Sequence, residues 1–253
     1  MSVVSIIIPA KNEAKNIGST IEGIREAFKK EKIAYDIIVI NDGSSDGTGK
    51  VIKYMADEDP NVRIVRNREP FGFGSAIKKG LEEYRGDMAI IAMADASDSP
   101  EDMIRYVREV WAGADCCFGT RWCKEAKVEG YPLLKYILNR TVNTLLNFLF
   151  GLHYNDTTNA FKCYSRQAIQ GIKPLISRHF NITVEMPLKA VVRGYSYKVI
   201  PVGWHERKKG VSKLKIQEMG SRYLFIVLYV WLEKHLSRGD YVRGEEREGQ
   251  STS

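Results

Sequence analysis

At 253 residues, 44% hydrophobic and 27% charged, the chain has the composition of a soluble globular protein and the length for a full-sized core in one or two domains. Val3 to Pro9 is strand-like from the outset, which excludes the basic, apolar and small-residue order of a signal peptide, and Cys116, Cys117, Cys123 and Cys163 have no zinc spacing. These features lead us to expect a cytosolic protein with reduced, buried thiols. The net charge of +7 is unevenly spread: residues 1–118 carry 16 basic and 20 acidic side chains, residues 119–215 carry 17 and 5, and residues 216–253 carry 5 and 6. A basic stretch beside an acidic half suggests a site for anionic ligands or an anionic surface. It carries no nucleic-acid recognition motif, so nucleic acid is not an expected partner.

Apolar runs at Val3–Ile8, Ile37–Ile40, Val62–Val65, Met88–Met93 and Asp115–Phe118 are nearly continuous in Ile and Val, as in parallel strands covered on both faces. Between them the pattern predicts helices over Ala14–Lys30, Gly47–Asp57, Gly74–Tyr84 and Pro100–Trp111. Ser99 is placed to cap the last of these, with Pro100, Glu101 and Asp102 suiting its first turn. Alternation of this kind argues for an α/β fold whose mainly parallel sheet gathers ligands beyond the carboxyl ends of its strands.

The second half reads as helical over Tyr131–Leu152, followed by a ten-residue apolar run at Tyr223–Leu232. Both are shorter than the ~20 residues a membrane span needs. They suit packing against the sheet or a partner, or a peripheral position in a membrane interface, with Lys135, Arg140, Arg222 and Lys234 near head groups. Residues 216–236 are expected to form a C-terminal amphipathic helix and residues 237–253 a polar, disordered tail.

Three segments at strand ends carry acids: Pro9-Ala10-Lys11-Asn12-Glu13, Asn41-Asp42-Gly43-Ser44-Ser45-Asp46-Gly47-Thr48, and Ala94-Asp95-Ala96-Ser97-Asp98-Ser99-Pro100. Taken singly, Asp42 and Asp46 could serve turns and Asp98 a helix cap. Carboxylates gathered at neighbouring strand ends repel one another unless a cation neutralises them, and an oxygen-rich set suits Mg2+ or Mn2+.

These segments, with Gly72-Phe73-Gly74-Ser75-Ala76, Gly119-Thr120-Arg121, Asp156-Thr157-Thr158-Asn159-Ala160-Phe161 and Arg207 through Gly210-Val211-Ser212-Lys213, occur in an order that resembles the family 2 glycosyltransferases of GT-A fold. The resemblance spans roughly residues 3–236 and is greatest to the dolichol-phosphate mannose synthase branch, which acts on polyprenyl phosphates. It implies a catalytic domain over 1–215, with residues 1–118 binding the nucleotide and 119–215 the acceptor and phosphates. Pro9, Lys11, Glu13, Asp42, Asp95 and Ala96 would then line the pocket for a nucleoside-diphosphate sugar of the GDP-mannose or UDP-glucose type. Asp95, with Asp98, would hold the metal, and Asp95, Arg121 and Arg207 would be the catalytic set. Arg121, Lys135, Arg140, Arg207, Ser212 and Lys213 would face the donor diphosphate and the acceptor phosphate. The synthases usually show Asp-x-Asp then Leu-Gln-His, whereas here the third position is Ser97 and the next acid is Asp98, so the cation would be held by Asp95 and Asp98, or by Asp95 with mostly phosphate and water ligands.

An acceptor hydroxyl must lose a proton to attack, and hydroxyl-directed members of the family commonly carry a Glu-Asp pair with the Asp as base. This chain reads Glu185-Met186. A phosphate monoester is already anionic at neutral pH and needs orientation and charge screening instead. The expectation is therefore inverting transfer of a hexose to a polyprenyl phosphate. One rival is a hydroxyl-directed transferase of polysaccharide or glycolipid synthesis with Glu185 as base. Another is a nucleotide-sugar-binding scaffold without turnover, for which Ser97 is the main support. Asn143 and Asn159 are further candidates to orient the acceptor, and no feature specifies an oligomeric state.

Overall fold

The structure, a computed structural model, describes residues 2–205 and 216–243. Through the first half strand and helix alternate: β1 (Val3–Ala10), α1 (Ile17–Lys30), β2 (Ala34–Asn41), α2 (Thr48–Glu58), β3 (Val62–Arg66), α3 (Phe73–Glu83), β4 (Met88–Ile91), α4 (Pro100–Trp111) and β5 (Cys116–Thr120). There follow β6 (Val128–Glu129), α5 (Leu133–Phe150), β7 (Lys162–Ser165), α6 (Arg166–Gly171), α7 (Ile182–Val192), β8 (Tyr197–Pro201), β9 (Trp204–His205) and α8 (Ile216–Leu236).

Seven strands form one sheet in the order β3-β2-β1-β4-β7-β5-β8, and β6 pairs with β9 apart from it. The sheet is mainly parallel, as the alternation predicts, but β7 runs antiparallel to both β4 and β5. Period-two geometry divides the apolar strands between two cores. Ile6, Ile8, Ile37 and Val39 pack with α1, α2 and α4, while Ile7, Ile38 and Ile40 face α3 and the helices of the second half.

Local chemistry explains where the helices begin. α4 starts at Pro100 as expected, with the Asp102 amide donating to Ser99 Oγ at 3.4 Å. α1 starts later than Ala14, because the Asn16 and Ile17 amides donate to Glu13 O and hold the segment after β1 in a turn. α7 has no counterpart in the sequence reading. It is buried along nearly its whole length, Glu185 and Lys189 included, and contains Pro187, so no amphipathic stripe marks it.

α5 and α8 touch one another, and each buries part of its surface. Leu146, Phe150, Ile226 and Val230 join the core, and Lys234 Nζ donates to Phe150 O at 3.0 Å. Arg193 anchors α8 to the domain through two hydrogen bonds to Glu233, at 2.7 and 2.9 Å. The expected tail falls largely on residues 244–253, which lie outside the described residues.

Candidate active site

The carboxyl ends of β1, β2 and β4 meet at a cleft of about 340 Å³. Its floor is built by two loops tied to each other. The Asn12 amide donates to Ser44 Oγ at 3.0 Å, the Ser45 amide to Asn12 Oδ1 at 2.8 Å, and the Glu13 amide to Thr48 Oγ1 at 2.8 Å. Asp46 belongs to this lacing, accepting from the Ala14 and Thr48 amides and from the Thr48 hydroxyl. Burial alone would raise its carboxyl, but these hydrogen bonds outweigh that effect and hold it below the usual carboxylate range.

Pro9, Lys11, Glu13, Asp42 and Asp95 all line the cleft. Asp42 is buried, and its Oδ1 accepts from Asn67 Nδ2 at 2.7 Å and from the Gly72 amide at 3.1 Å. Gly72 permits that contact: it has φ 154°, and a Cβ there would stand 2.4 Å from Arg178 O. Gly43 has φ 68°, and a Cβ on it would lie 2.9 Å from the Phe71 ring. Phe71 therefore lies across the turn, with Lys11 Nζ 5.5 Å from its ring centre. Phe73 and Phe180 stack at 4.3 Å, both on the cleft wall.

Asp95 is 8% exposed, and its Oδ1 accepts from the Ser97 amide at 3.2 Å and from Ser97 Oγ at 2.6 Å. Ser97 thus fixes the rotamer of the acid two residues before it. Ala96 bridges them at φ 57°, a left-handed conformation unusual for a residue with a Cβ, and it is exposed. Asp98 is turned the other way. Its Oδ2 accepts from the Met93 amide at 2.8 Å, and it is absent from the cleft wall. Enclosure by protein atoms, aided by the nearby Asp95 charge, pushes its carboxyl up to about 7. Among the described residues no three His, Cys, Asp or Glu side chains converge as a metal-ligand group.

Two of the expected cations, Arg121 and Arg140, are committed elsewhere. Arg121, expected at the diphosphate, forms two 2.8 Å hydrogen bonds to the fully buried Asp156 and lies 5.4 Å from the ring centres of Trp122 and Tyr131. Arg140 Nη1 donates to Asn155 O at 3.0 Å, and Lys135 is half-buried near the start of α5. Arg207, Ser212 and Lys213 lie outside the described residues. Asn143 and Asn159 serve the fold around Asp156: the Thr157 amide donates to Asn143 Oδ1 at 2.6 Å, and Asn159 Nδ2 donates to Gly119 O at 3.1 Å.

The cleft is instead lined by Arg222 and His179 together with Lys11 and Asp95. Neither was read as part of the donor cleft: Arg222, just before an apolar run, was expected near lipid head groups, and His179 has no ligand pattern around it. Glu185, the rival base, is fully buried below this wall. Its oxygens accept from the Ile176 and Ser177 amides, each at 2.8 Å, and from Lys189 Nζ at 2.7 Å.

Residues 5–172 match the family model "Glycosyl transferase family 2". A polyprenol monophosphomannose synthase of Mycolicibacterium smegmatis is 30% identical over 83% of this chain and 80% of that protein. A dolichol-phosphate mannosyltransferase of Pyrococcus furiosus is 26% identical over 84% of this chain, which spans 59% of that relative's length. A solved glucosyl-3-phosphoglycerate synthase from Mycobacterium tuberculosis, in complex with Mn2+, uridine diphosphate and phosphoglyceric acid, shares the fold. Its TM-score is 0.69 at 16% identity, over 92% of this chain and 78% of that one. With the family model covering two thirds of the sequence and strand-end acids lining one cleft, the chain belongs to glycosyl transferase family 2.

Proposed function

We propose that this chain moves a hexose from a nucleoside-diphosphate sugar to a polyprenyl phosphate, with inversion at the anomeric carbon. The nucleotide sits against Pro9, Lys11, Glu13 and Asp42, with Phe71 over the Gly43 turn. The diphosphate points towards Asp95, Ala96 and the cations of the cleft wall. One oxygen of the acceptor phosphate attacks the anomeric carbon as the bond to the diphosphate breaks, and the electron pair leaves with the nucleoside diphosphate. The similarity to a polyprenol monophosphomannose synthase and a dolichol-phosphate mannosyltransferase supports a polyprenyl-phosphate acceptor.

The observation that carries the reading is the state of Glu185. Both of its oxygens are held by backbone amides and Lys189, away from the cleft wall, so it is not placed to take a proton from an acceptor hydroxyl. A phosphate acceptor requires no such base. The hydroxyl-directed alternative loses its one candidate.

Mg2+ or Mn2+ fits the donor set in a particular way. Asp95, oriented by Ser97, is a single cleft-lining carboxylate at the end of β4, which suits an ion that keeps waters and takes its remaining ligands from substrate phosphates. Such an ion supplies Lewis-acid stabilisation of the departing diphosphate. Asp98, given as a second ligand on sequence grounds, is better assigned to bracing the β4 end through Met93. Arg121 is better assigned to holding the Asp156 loop than to touching phosphate.

Peripheral contact with a membrane is part of the same proposal. α5 exposes Leu133 (72%) and Phe148 (86%), and α8 exposes Phe225 and Leu236. Among the described residues no helix is long and apolar enough to cross a membrane.

The experiment is a screen of nucleotide sugars with Mn2+ by thermal shift, followed by transfer from the stabilising donor to a short prenyl phosphate or to free sugars. Donor-dependent stabilisation and transfer to the prenyl phosphate are expected. Transfer to sugar hydroxyls alone would overturn the acceptor assignment.

A further inference from the structure

Arg222 reaches the cleft wall from the first part of α8, and the next residue ties that part of the helix to the domain. Tyr223 is half-buried, and its Oη donates to Phe180 O at 3.1 Å. Thr183 donates to the same carbonyl, through its amide at 3.0 Å and its Oγ1 at 2.8 Å. The first turn of α7 and the first part of α8 thus meet on one backbone oxygen. Phe180 is itself on the cleft wall, with its ring stacked on that of Phe73. Phe73 follows Gly72, whose amide holds Asp42. The Tyr223 bond therefore joins α8 to the wall that runs back to the strand-end acids.

Successive residues of an α-helix point about 100° apart, so Arg222 and Tyr223 face different neighbours. The rotation of α8 about its own axis decides whether the guanidinium reaches the cleft. Ile226 and Val230 hold the helix to the core by apolar contact, which has no preferred direction. Leu224, Phe225 and Leu228 are apolar as well, yet exposed. Burial alone therefore discriminates weakly between one rotation of α8 and another. A hydrogen bond has a preferred length and angle, and the Tyr223 bond supplies that direction. Half the width of a helix is roughly 6 Å, so a turn of about 20° would carry a side chain roughly 2 Å. A displacement of that size is enough to break a contact with phosphate.

We propose that Tyr223 is a positioning residue: its bond to Phe180 O sets the rotation of α8 and so holds the Arg222 guanidinium against the donor diphosphate. The inference rests on the cleft reading above, in which the diphosphate points towards the cations of this wall. Tyr223 does not line the cleft, so it acts through Arg222 and not on the substrate. Burial raises its phenol above the ordinary value, which keeps the hydroxyl a donor at neutral pH.

The test is a double-mutant cycle on the full chain with Mn2+, reading dissociation constants for UDP and GDP by titration calorimetry. Tyr223→Phe removes one hydroxyl and leaves Phe180 O with both donors from Thr183, so the melting temperature should fall by no more than about 4 °C. With Arg222 present, Tyr223→Phe should weaken the bound nucleoside diphosphate about tenfold, the scale of a lost hydrogen bond to a charged group. In Arg222→Gln the same change should have no further effect, because no guanidinium is left to place. Equal weakening in both backgrounds would make Tyr223 a general support of the fold, and no weakening in either would remove it from the site. Both results overturn the inference, while weaker binding by Arg222→Gln alone upholds the cleft reading. If Arg222→Gln binds as tightly as the wild type, or the wild type binds neither nucleotide, the cleft reading fails and the inference fails with it.

Discussion

The guanidinium of Arg121 and the carboxylate of Asp156 face each other through two parallel hydrogen bonds of 2.8 Å, and the Arg121 amide adds a third at 3.1 Å. The end of β5 is thereby joined to the loop that leads into β7. Coulombic and hydrogen-bonding effects of Asp156 outweigh desolvation, so the guanidinium remains charged. Asp156→Ala leaves that cation buried and unpaired, and unfolding by denaturant should show a loss of about 3–5 kcal/mol. Arg121→Lys should also destabilise, because an ammonium cannot reproduce the two-pronged contact.

Ser97→Ala tests the orientation of Asp95. The hydroxyl at 2.6 Å is a side-chain restraint on that carboxylate, and supporting contacts of this kind are worth about tenfold or more in metal affinity or activity. Titrating Mn2+ against turnover should show a higher half-saturating concentration in Ser97→Ala and no metal-stimulated turnover in Asp95→Ala. Equal metal dependence in Ser97→Ala and the wild type would remove the orienting role.

Glu185→Gln separates a strut from a base. The substitution keeps the side chain's size but breaks its buried pairing with Lys189, both partners being fully buried. A stability loss of about 3 kcal/mol is expected. Variant that remains folded at low temperature should still transfer to a prenyl phosphate. Loss of transfer with folding and donor binding intact would make Glu185 a base after all.

Lys162 gives the stability a particular pH dependence. It is 1% exposed, and its ammonium donates to Thr157 O at 2.9 Å. Desolvation outweighs the attraction of Asp156 and brings its pKa down to about 7. Between pH 7 and the ordinary lysine range the unfolded chain binds more protons than the folded one, so this group makes stability rise with pH, by at most about 1.4 kcal/mol per unit. Below pH 7 its unfavourable contribution is complete. Asp98, raised to about 7, acts in the opposite sense up to and around that pH, and Cys116 and Cys163, whose thiols burial raises, do so once unfolded thiols ionise near pH 8.5, so the Lys162 effect is read as a difference from Lys162→Met over about pH 7.5–8.5. Denaturant midpoints across that window should rise more steeply for the wild type than for Lys162→Met.

Phe148→Asp tests the apolar face of α5. At 86% exposure the ring contributes little to folding, so stability should change by less than about 0.5 kcal/mol. Sedimentation with anionic liposomes should fall for this variant relative to the wild type. Unchanged sedimentation would remove this face from membrane contact.

Much of the strand-end side of the cleft was legible because these loops follow directly on apolar strands. Asp42 and Asp95 could be placed from the apolar runs before them, and Ser99 was legible as a cap from its own neighbours. The remainder depends on contacts between distant parts of the chain. Asp46 and Asp98 resemble ligands in sequence but are drawn into loop and strand-end hydrogen bonds. Arg121 appears as an available cation until Asp156, 35 residues on, is brought to it. Arg222 and His179 come from α8 and the loop before α7, and nothing near either one indicates that they share a wall. β7 was not legible because four residues beginning with a lysine do not form an apolar run, and only the fold buries that lysine.

The antiparallel strand β7 also bears on synthesis of the chain. β5 has no neighbour among the strands that precede it; its partners are β7 and β8. A nascent chain that has emerged only through residue 120 therefore holds β3-β2-β1-β4 with an open edge on β4, and a fifth strand with nothing to pair with. Exposed edges of that kind invite pairing between chains. Closure comes when Lys162–Ser165 inserts between β4 and β5, and β8 then adds to the far side of β5. The cleft walls contributed by the two halves of the chain thus come together in one late, shared event, and a fragment ending after β5 is expected to aggregate rather than to form the cleft.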